Sequence, residues 1–224
     1  LPCNYGSSCD LGCMTGAKAS TDITYWPPAL DAGVQLVTRA RVRELTVGDD
    51  GHIKSALYYH GGQLLEQRAR LVVVACNGVG TPRLLLNSRS HQFPNGLANE
   101  SGLVGKNLMF HPSAFVTGYF DDDLESNHGP TSNSIYSHHF YETDTTRGFL
   151  RGYQLQITHD SGPLWAARGG TKGEPMPWGS KHHDVFNKNF NRTINVGVIT
   201  EDLPEEINQV TIDLFLADSD GIPA

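Results

Sequence analysis

LVVVACNGVGTPRLLLNS, from Leu71 to Ser88, changes character at its centre. Its first five residues, Leu71 to Ala75, are apolar without alternation. That is the pattern of a strand buried on both faces in a parallel α/β sheet. Gly78 and Gly80 then supply a tight turn. Thr81 is placed to cap a helix, Pro82 to occupy its first position, and Leu84, Leu85 and Leu86 to form its buried side. A helix start reached through a glycine turn presents free N–H groups, which favour a phosphate or another acceptor. The unit is not a GxGxxG fingerprint, and an ordinary βα connection has the same outline.

Upstream, VQLVTRARVRELTVGDDGHIKSALYY reads as two strands, a turn at Asp50-Gly51 and a further strand, with a second turn at Gly61-Gly62. Ser20 and Thr21 ahead of DITYWPPALDAG predict a short helix, limited by Pro27 and Pro28 and ended by Gly33. Beyond residue 90 the chain becomes rich in Gly, Pro, Asn and His. AFVTGYF, FLRGYQLQIT, TINVGVIT and NQVTIDLFL alternate like antiparallel strands with one face in solvent. Polar stretches such as DDDLESNHGPTSNS and RGGTKGEPMPWGSKHHD read as loops between them. The predicted class is α+β: a nucleotide-binding α/β portion over 1–110 and an antiparallel portion over 111–224.

The chain has 224 residues, with 17 Lys and Arg against 24 Asp and Glu, a net charge of −7. That balance argues against a nucleic-acid surface, which needs clustered cations. No apolar run approaches the ~18 residues of a membrane span. Both ends are expected to be cuts through a longer protein.

Three of the four cysteines fall in CNYGSSCDLGC, spaced C-x5-C-x3-C. A disulfide would leave an odd thiol in the cluster. Zinc would want a fourth ligand, and only Cys9 and Cys13 have its usual spacing. Three thiolates on a looping backbone with Gly6, Ser7, Ser8 and Gly12 between them would suit a three-iron, four-sulfide cluster. Cys76, ending the apolar run, reads as a small buried hydrophobe. His138-His139 and His182-His183 are adjacent pairs, whose side chains point apart in extended chain. Asp121, Asp122 and Asp123 read as a solvated loop.

VVVACNGVGTPRLLLNS resembles a signature segment of the glucose–methanol–choline (GMC) flavoprotein oxidoreductases, with Thr81, Pro82, Leu84, Leu85, Leu86 and Ser88 in the family's order. GLANESGLVGKNLMFHP is similar to a second segment, through Val104, Gly105, Lys106, Asn107, Leu108, His111 and Pro112. DAGVQLVTRARVREL resembles the strand that passes the flavin's adenine, and EDLPEEINQVTID with DSDGIPA resembles the stretch before the family's catalytic region. Asn77 and Arg89 depart from the family, which has Gly at both places in many members.

The resemblance implies FAD as cofactor, with Val42, Asn77, Gly78, Gly80 and Thr81 near it. It implies oxidation of an alcohol CH–OH in a sugar, sugar acid or polyol. Residues 1–110 would be part of the FAD-binding region and 111–224 the substrate-binding cap. The GxGxxG loop and the catalytic His with its Asn or His partner would lie outside this chain, which alone is expected to be inactive. The opening cysteines are similar to those of the family's bacterial multi-subunit sugar dehydrogenases. That implies Cys3, Cys9 and Cys13 as ligands of a 3Fe–4S cluster, a cytochrome and a small chaperone-like subunit as partners, and a periplasmic or membrane-associated complex. A GMC oxidase that uses O2, with structural cysteines, and a non-catalytic binding fragment are the alternatives.

Overall fold

The computed structural model describes residues 2–6, 9, 11–129, 133–159, 162–169 and 174–224. Its architecture is α+β, with short helices and two antiparallel sheets. Contacts group the chain into two compact units, each made of two segments. One joins Leu1–Val34 with Phe110–Asp202, the other Gln35–Met109 with Leu203–Ala224.

In the second of these, β1 (Arg41–Val47), β2 (Ile53–His60) and β3 (Gln63–Arg68) form an antiparallel sheet in that order. Gly61 and Gly62 both have positive φ, 58° and 78°, so the β2–β3 loop has the twist that suits a two-residue hairpin. Residues 34–40, expected to hold a first strand, lie outside the sheet, because the ladder with β2 begins only at Arg41. The helix α3 (Asn77–Asn87) packs against β1. Leu45, Leu84 and Leu97 form the buried cluster, with Val47, Ile53, Ala56, Val72 and Val74 against it. Each such aliphatic side chain taken from water contributes about 1.5–3 kcal/mol.

Ser88 ties the helix to the sheet. Its hydroxyl donates to the Leu84 carbonyl at 2.6 Å and accepts the Leu45 N–H at 2.9 Å, and the residue is fully buried. The Leu45 N–H lies in a strand interior, so without this hydroxyl it would be an unpaired buried donor.

The apolar run 71–75 corrects the expectation of a strand buried on both faces. Val72 and Val74 pack on the core, while Leu71 and Val73 are 81% and 80% exposed. A strand exists through its ladder, and among the described residues no strand pairs with this segment. NQVTIDLFL is likewise no strand. Its backbone bonds go elsewhere: Val210 N–H to Gly105, Asn208 carbonyl to Leu108, and Asp213 N–H to Ala224.

The other unit opens with α1 (Thr21–Thr24) and α2 (Trp26–Asp31), and α2 carries its two prolines in the first turn, where their missing N–H groups cost no hydrogen bond. Its sheet contains β4 (Ser113–Tyr119), β5 (Asn133–Ser137), β6 (Tyr153–His159) and β7 (Thr193–Thr200), ordered β4-β7-β6-β5 and antiparallel throughout. The helices α4 (Pro163–Arg168) and α5 (Ser180–Asn189) pack on each other. The α5 segment, expected as loop, is helical. His182 Nε2 lies 3.0 Å from the Ala167 carbonyl, and Phe186 stacks on Phe190 at 5.1 Å. Among the described residues no helix is long and apolar enough to cross a membrane.

Candidate functional site

A cleft of about 330 Å³ lies at the start of α3, between that helix and β1. Among the residues lining it are Val42, Cys76, Asn77 and Gly80, together with Arg41, Arg43 and Arg83. Val42, Asn77 and Gly80, separated by up to 38 positions in the chain, are therefore brought to one place.

The local geometry follows from residue type. Asn77 has φ 62°, in the left-handed region that Gly and Asn enter more readily than other residues. It is a conformation that glycine adopts as readily. The Asn77 side-chain carbonyl accepts the N–H groups of Val79 and Gly80, each at 2.9 Å. The helix thus begins at Asn77, four residues ahead of the expected cap at Thr81, and Pro82 lies inside it. Thr81 still serves this terminus, because its hydroxyl accepts the Cys76 N–H at 3.2 Å. Pro82 has no N–H to return to the Gly78 carbonyl, which loosens the first turn. Cys76 is exposed at the cleft rather than buried.

Gly78, in the first turn of α3, meets nothing within 4 Å in the direction a Cβ would take. At Gly80 a Cβ would lie 3.2 Å from that of Cys76. The cleft combines amide, backbone and guanidinium donors with the apolar Val42 and Leu84. That lining fits part of a dinucleotide: an apolar wall for a base, and guanidinium and amide groups for phosphate or ribose.

Arg83 is a residue that the sequence pattern does not single out. Its guanidinium donates to the carbonyls of Pro223 and Ile222 at 2.8 and 2.9 Å and to Asp218 Oδ2 at 3.0 Å. Asp218 Oδ1 accepts the N–H groups of Asp220 and Ile222. Burial raises the Asp218 carboxyl's affinity for a proton. The Ile222 N–H, the Arg83 guanidinium and the Asp220 N–H outweigh it and hold the group below its ordinary range. Arg83 and Asp218 thereby fasten the 218–223 turn beside the cleft. Only Gly78 and Thr81, among the expected cofactor residues, stand outside its lining.

The cysteines behave differently. All four are free; Cys3 and Cys76 are exposed, and Cys9 and Cys13 half-buried. The Cys3 Sγ accepts the Tyr5 N–H at 3.3 Å, and the Cys13 Sγ accepts the Ala17 N–H at 3.2 Å. The Cys13 thiol is lowered to about 7, chiefly by the Thr15 hydroxyl and then by the nearby backbone N–H groups. Among the described residues no three His, Cys, Asp or Glu side chains are placed to hold one ion. The Cys3 and Cys13 sulfurs thus each close a local turn. His111, from the second motif, has Nδ1 3.3 Å from the Thr200 carbonyl, a contact within its own unit.

The second motif has a structural explanation. Gly105 has φ 89°, and its carbonyl accepts the Val210 N–H at 2.8 Å. Lys106 pairs with Glu206 at 2.9 Å, and that hydrogen bond and charge lower the Glu206 carboxyl. Leu108 N–H donates to Asn208 at 2.8 Å. The motif is thus a docking strip for 206–210.

Residues 2–113, half the chain, match the family described as GMC oxidoreductase. Across 95% of the chain it is 39% identical to a 2-methyl-1,2-propanediol dehydrogenase of Mycolicibacterium austroafricanum. Across 99% it is 33% identical to a paromamine 6'-oxidase of Streptomyces fradiae. Across 69% it is 27% identical to the fructose dehydrogenase large subunit of Gluconobacter japonicus. It spans 39%, 39% and 28% of those three proteins. The chain belongs to the GMC oxidoreductase family.

Proposed function

We propose that this chain is part of a FAD-dependent enzyme that oxidises an alcohol CH–OH in a polyol or sugar-like substrate. The observation that carries the reading is the cleft at the start of α3, where Val42, Asn77 and Gly80 meet in a chain that belongs to this family. FAD, when bound, supplies the two-electron acceptor for the hydride. The chain's own residues do the holding. Val42 offers an apolar wall in the cleft, and the backbone at Gly78, beside it in the first turn of α3, is open on its Cα side. Asn77 and Thr81 fix the turn that shapes this approach, and Arg43 places positive charge beside it, while Arg41 is paired with Asp220 at 3.6 Å. The flavin-holding share is drawn from residues 1–110 and joined at the cleft by Ile222, and the substrate-shaping share is drawn from within 111–224. No proton-transfer residue for the reaction is assigned in this chain.

The substrate class is supported by the names of the relatives, which point to 2-methyl-1,2-propanediol, paromamine and fructose. Onward transfer through a cluster on Cys3, Cys9 and Cys13 to a cytochrome rests on spacing and resemblance. The thiols as placed do not fit it, so no step is routed through it. The oxidase reading is kept because one relative is a paromamine 6'-oxidase. The test is the complete natural protein, reduced by substrate without oxygen and then exposed to air. Reoxidation within a turnover time identifies an oxidase, and a flavin that stays reduced until an artificial acceptor is added identifies a dehydrogenase. Absence of bound flavin would overturn both.

A further inference from the structure

Most polar groups around the cleft at α3 already have partners. Arg83 holds the carbonyls of Ile222 and Pro223 and the Asp218 carboxylate, and Asn87 Nδ2 donates to the Pro223 carbonyl at 3.2 Å. Arg41 is paired with Asp220 at 3.6 Å, and Arg43 Nη1 donates to the Tyr59 hydroxyl at 3.2 Å. Backbone donors of the turn are taken as well. The Cys76 N–H goes to Thr81 Oγ1, and the Val79 and Gly80 N–H groups go to Asn77 Oδ1.

Asn77 is the exception. Two backbone N–H groups meet one atom of its side chain, so that atom is the amide oxygen and the partners settle which way the amide is turned. Nδ2 lies on the other arm of the planar amide and carries two donors. Among the described residues nothing accepts from them. The residue is exposed and lines the cleft. Glycine, common at this place in the family, would adopt its φ of 62° as readily but has no donor to offer. With glycine the Val79 and Gly80 N–H groups would be left for a ligand. With Asn77 they are covered, and the amide presents its own N–H groups instead.

We infer that Asn77 is a recognition residue as well as a cap, with Nδ2 donating to a phosphate oxygen in the adenosine diphosphate half of the dinucleotide. The N–H groups of Arg43 that Tyr59 does not use put positive charge in the same cleft. This role deepens the proposed flavin site and rests on it for the identity of the ligand.

Two substitutions separate recognition from capping. In Asn77→Asp a carboxylate still accepts the Val79 and Gly80 N–H groups and suits a helix start, so the cap is kept. It has no donor, and it sets a negative charge against the phosphate. Asn77→Gly keeps the backbone conformation and loses both cap and donor, without the added charge. Flavin release from the complete, flavin-loaded protein is followed by fluorescence on dilution, and ADP binding by calorimetry. Asn77→Asp should weaken flavin and ADP binding about tenfold or more, and Asn77→Gly should weaken both less than Asn77→Asp does. Capping alone predicts the reverse order, with Asp close to wild type and Gly the weaker binder. That order, equal losses in the two variants, or wild-type affinity in Asn77→Asp would overturn the recognition role. ADP binding with the expected order in a protein that takes up no flavin would uphold the donor and count against the proposed oxidation.

Discussion

At the scale of single residues, three side chains carry distinct consequences. Ser88→Ala leaves the Leu45 N–H without its buried acceptor, and the expected loss is about 1–3 kcal/mol in urea unfolding. An unchanged midpoint would show that another group takes over the bond. Asp218 makes stability depend on pH. Its folded-state affinity for protons is depressed, so its contribution is present above the unfolded value near ~4 and is lost as pH falls through the lower folded value. Asp218→Asn should therefore lower stability at neutral pH and leave little difference from wild type in strong acid. A gap that persists unchanged into acid would contradict this. Gly78→Val places a branched side chain in the open space beside the first turn of α3. Lowered flavin content in purified complete protein, at normal thermal stability, is the expected outcome, and full flavin retention would remove Gly78 from the site. Thr81 was legible as a hydroxyl serving this helix start, although it bonds the Cys76 N–H from inside the helix instead of capping it, and Ser88 entered only as a position of the resembled motif. The Arg83–Asp218 pair was not legible, because its partners are 135 positions apart and no local pattern links them.

At the scale of elements, the β2–β3 hairpin was legible, while the lone apolar run and the start of α3 were not. The β2–β3 turn is set by two adjacent glycines, a local cause with a local effect. The run 71–75 needs neighbours to become a strand, and hydrophobicity alone does not supply them. The beginning of α3 was placed late because Thr-Pro is a common helix opening. Here Asn77 caps the turn four residues earlier through its own side chain. The docking strip at 105–108 gives a direct test. A Cβ on Gly105 would lie 2.5 Å from the Val210 carbonyl, at a φ that side chains resist. Gly105→Ala should cost about 1–3 kcal/mol and increase amide exchange at Val210. Protection equal to wild type would show that the strip does not hold 206–210.

At the scale of the whole molecule, the composition shift near residue 110 marks where the chain changes character. It carries no information on where a later segment returns to pack, and the grouping of Leu203–Ala224 with Gln35–Met109 became visible only through contacts. The α+β class was legible because the alternation of β4, β6 and β7 is local. The family was legible because four segments occur in its order. The cysteine cluster was legible as a spacing, but a spacing does not determine where three sulfurs point. The cleft at Val42, Asn77 and Gly80 is proposed to serve a flavin that accepts hydride from an alcohol. The most direct measurement is anaerobic titration of the complete natural protein with 2-methyl-1,2-propanediol, paromamine and fructose, following the visible absorbance of oxidised flavin. Stoichiometric bleaching by at least one of them, diminished in Gly78→Val in proportion to lost flavin, is the predicted result. A protein that binds no flavin, or whose flavin stays oxidised with all three, would contradict the account.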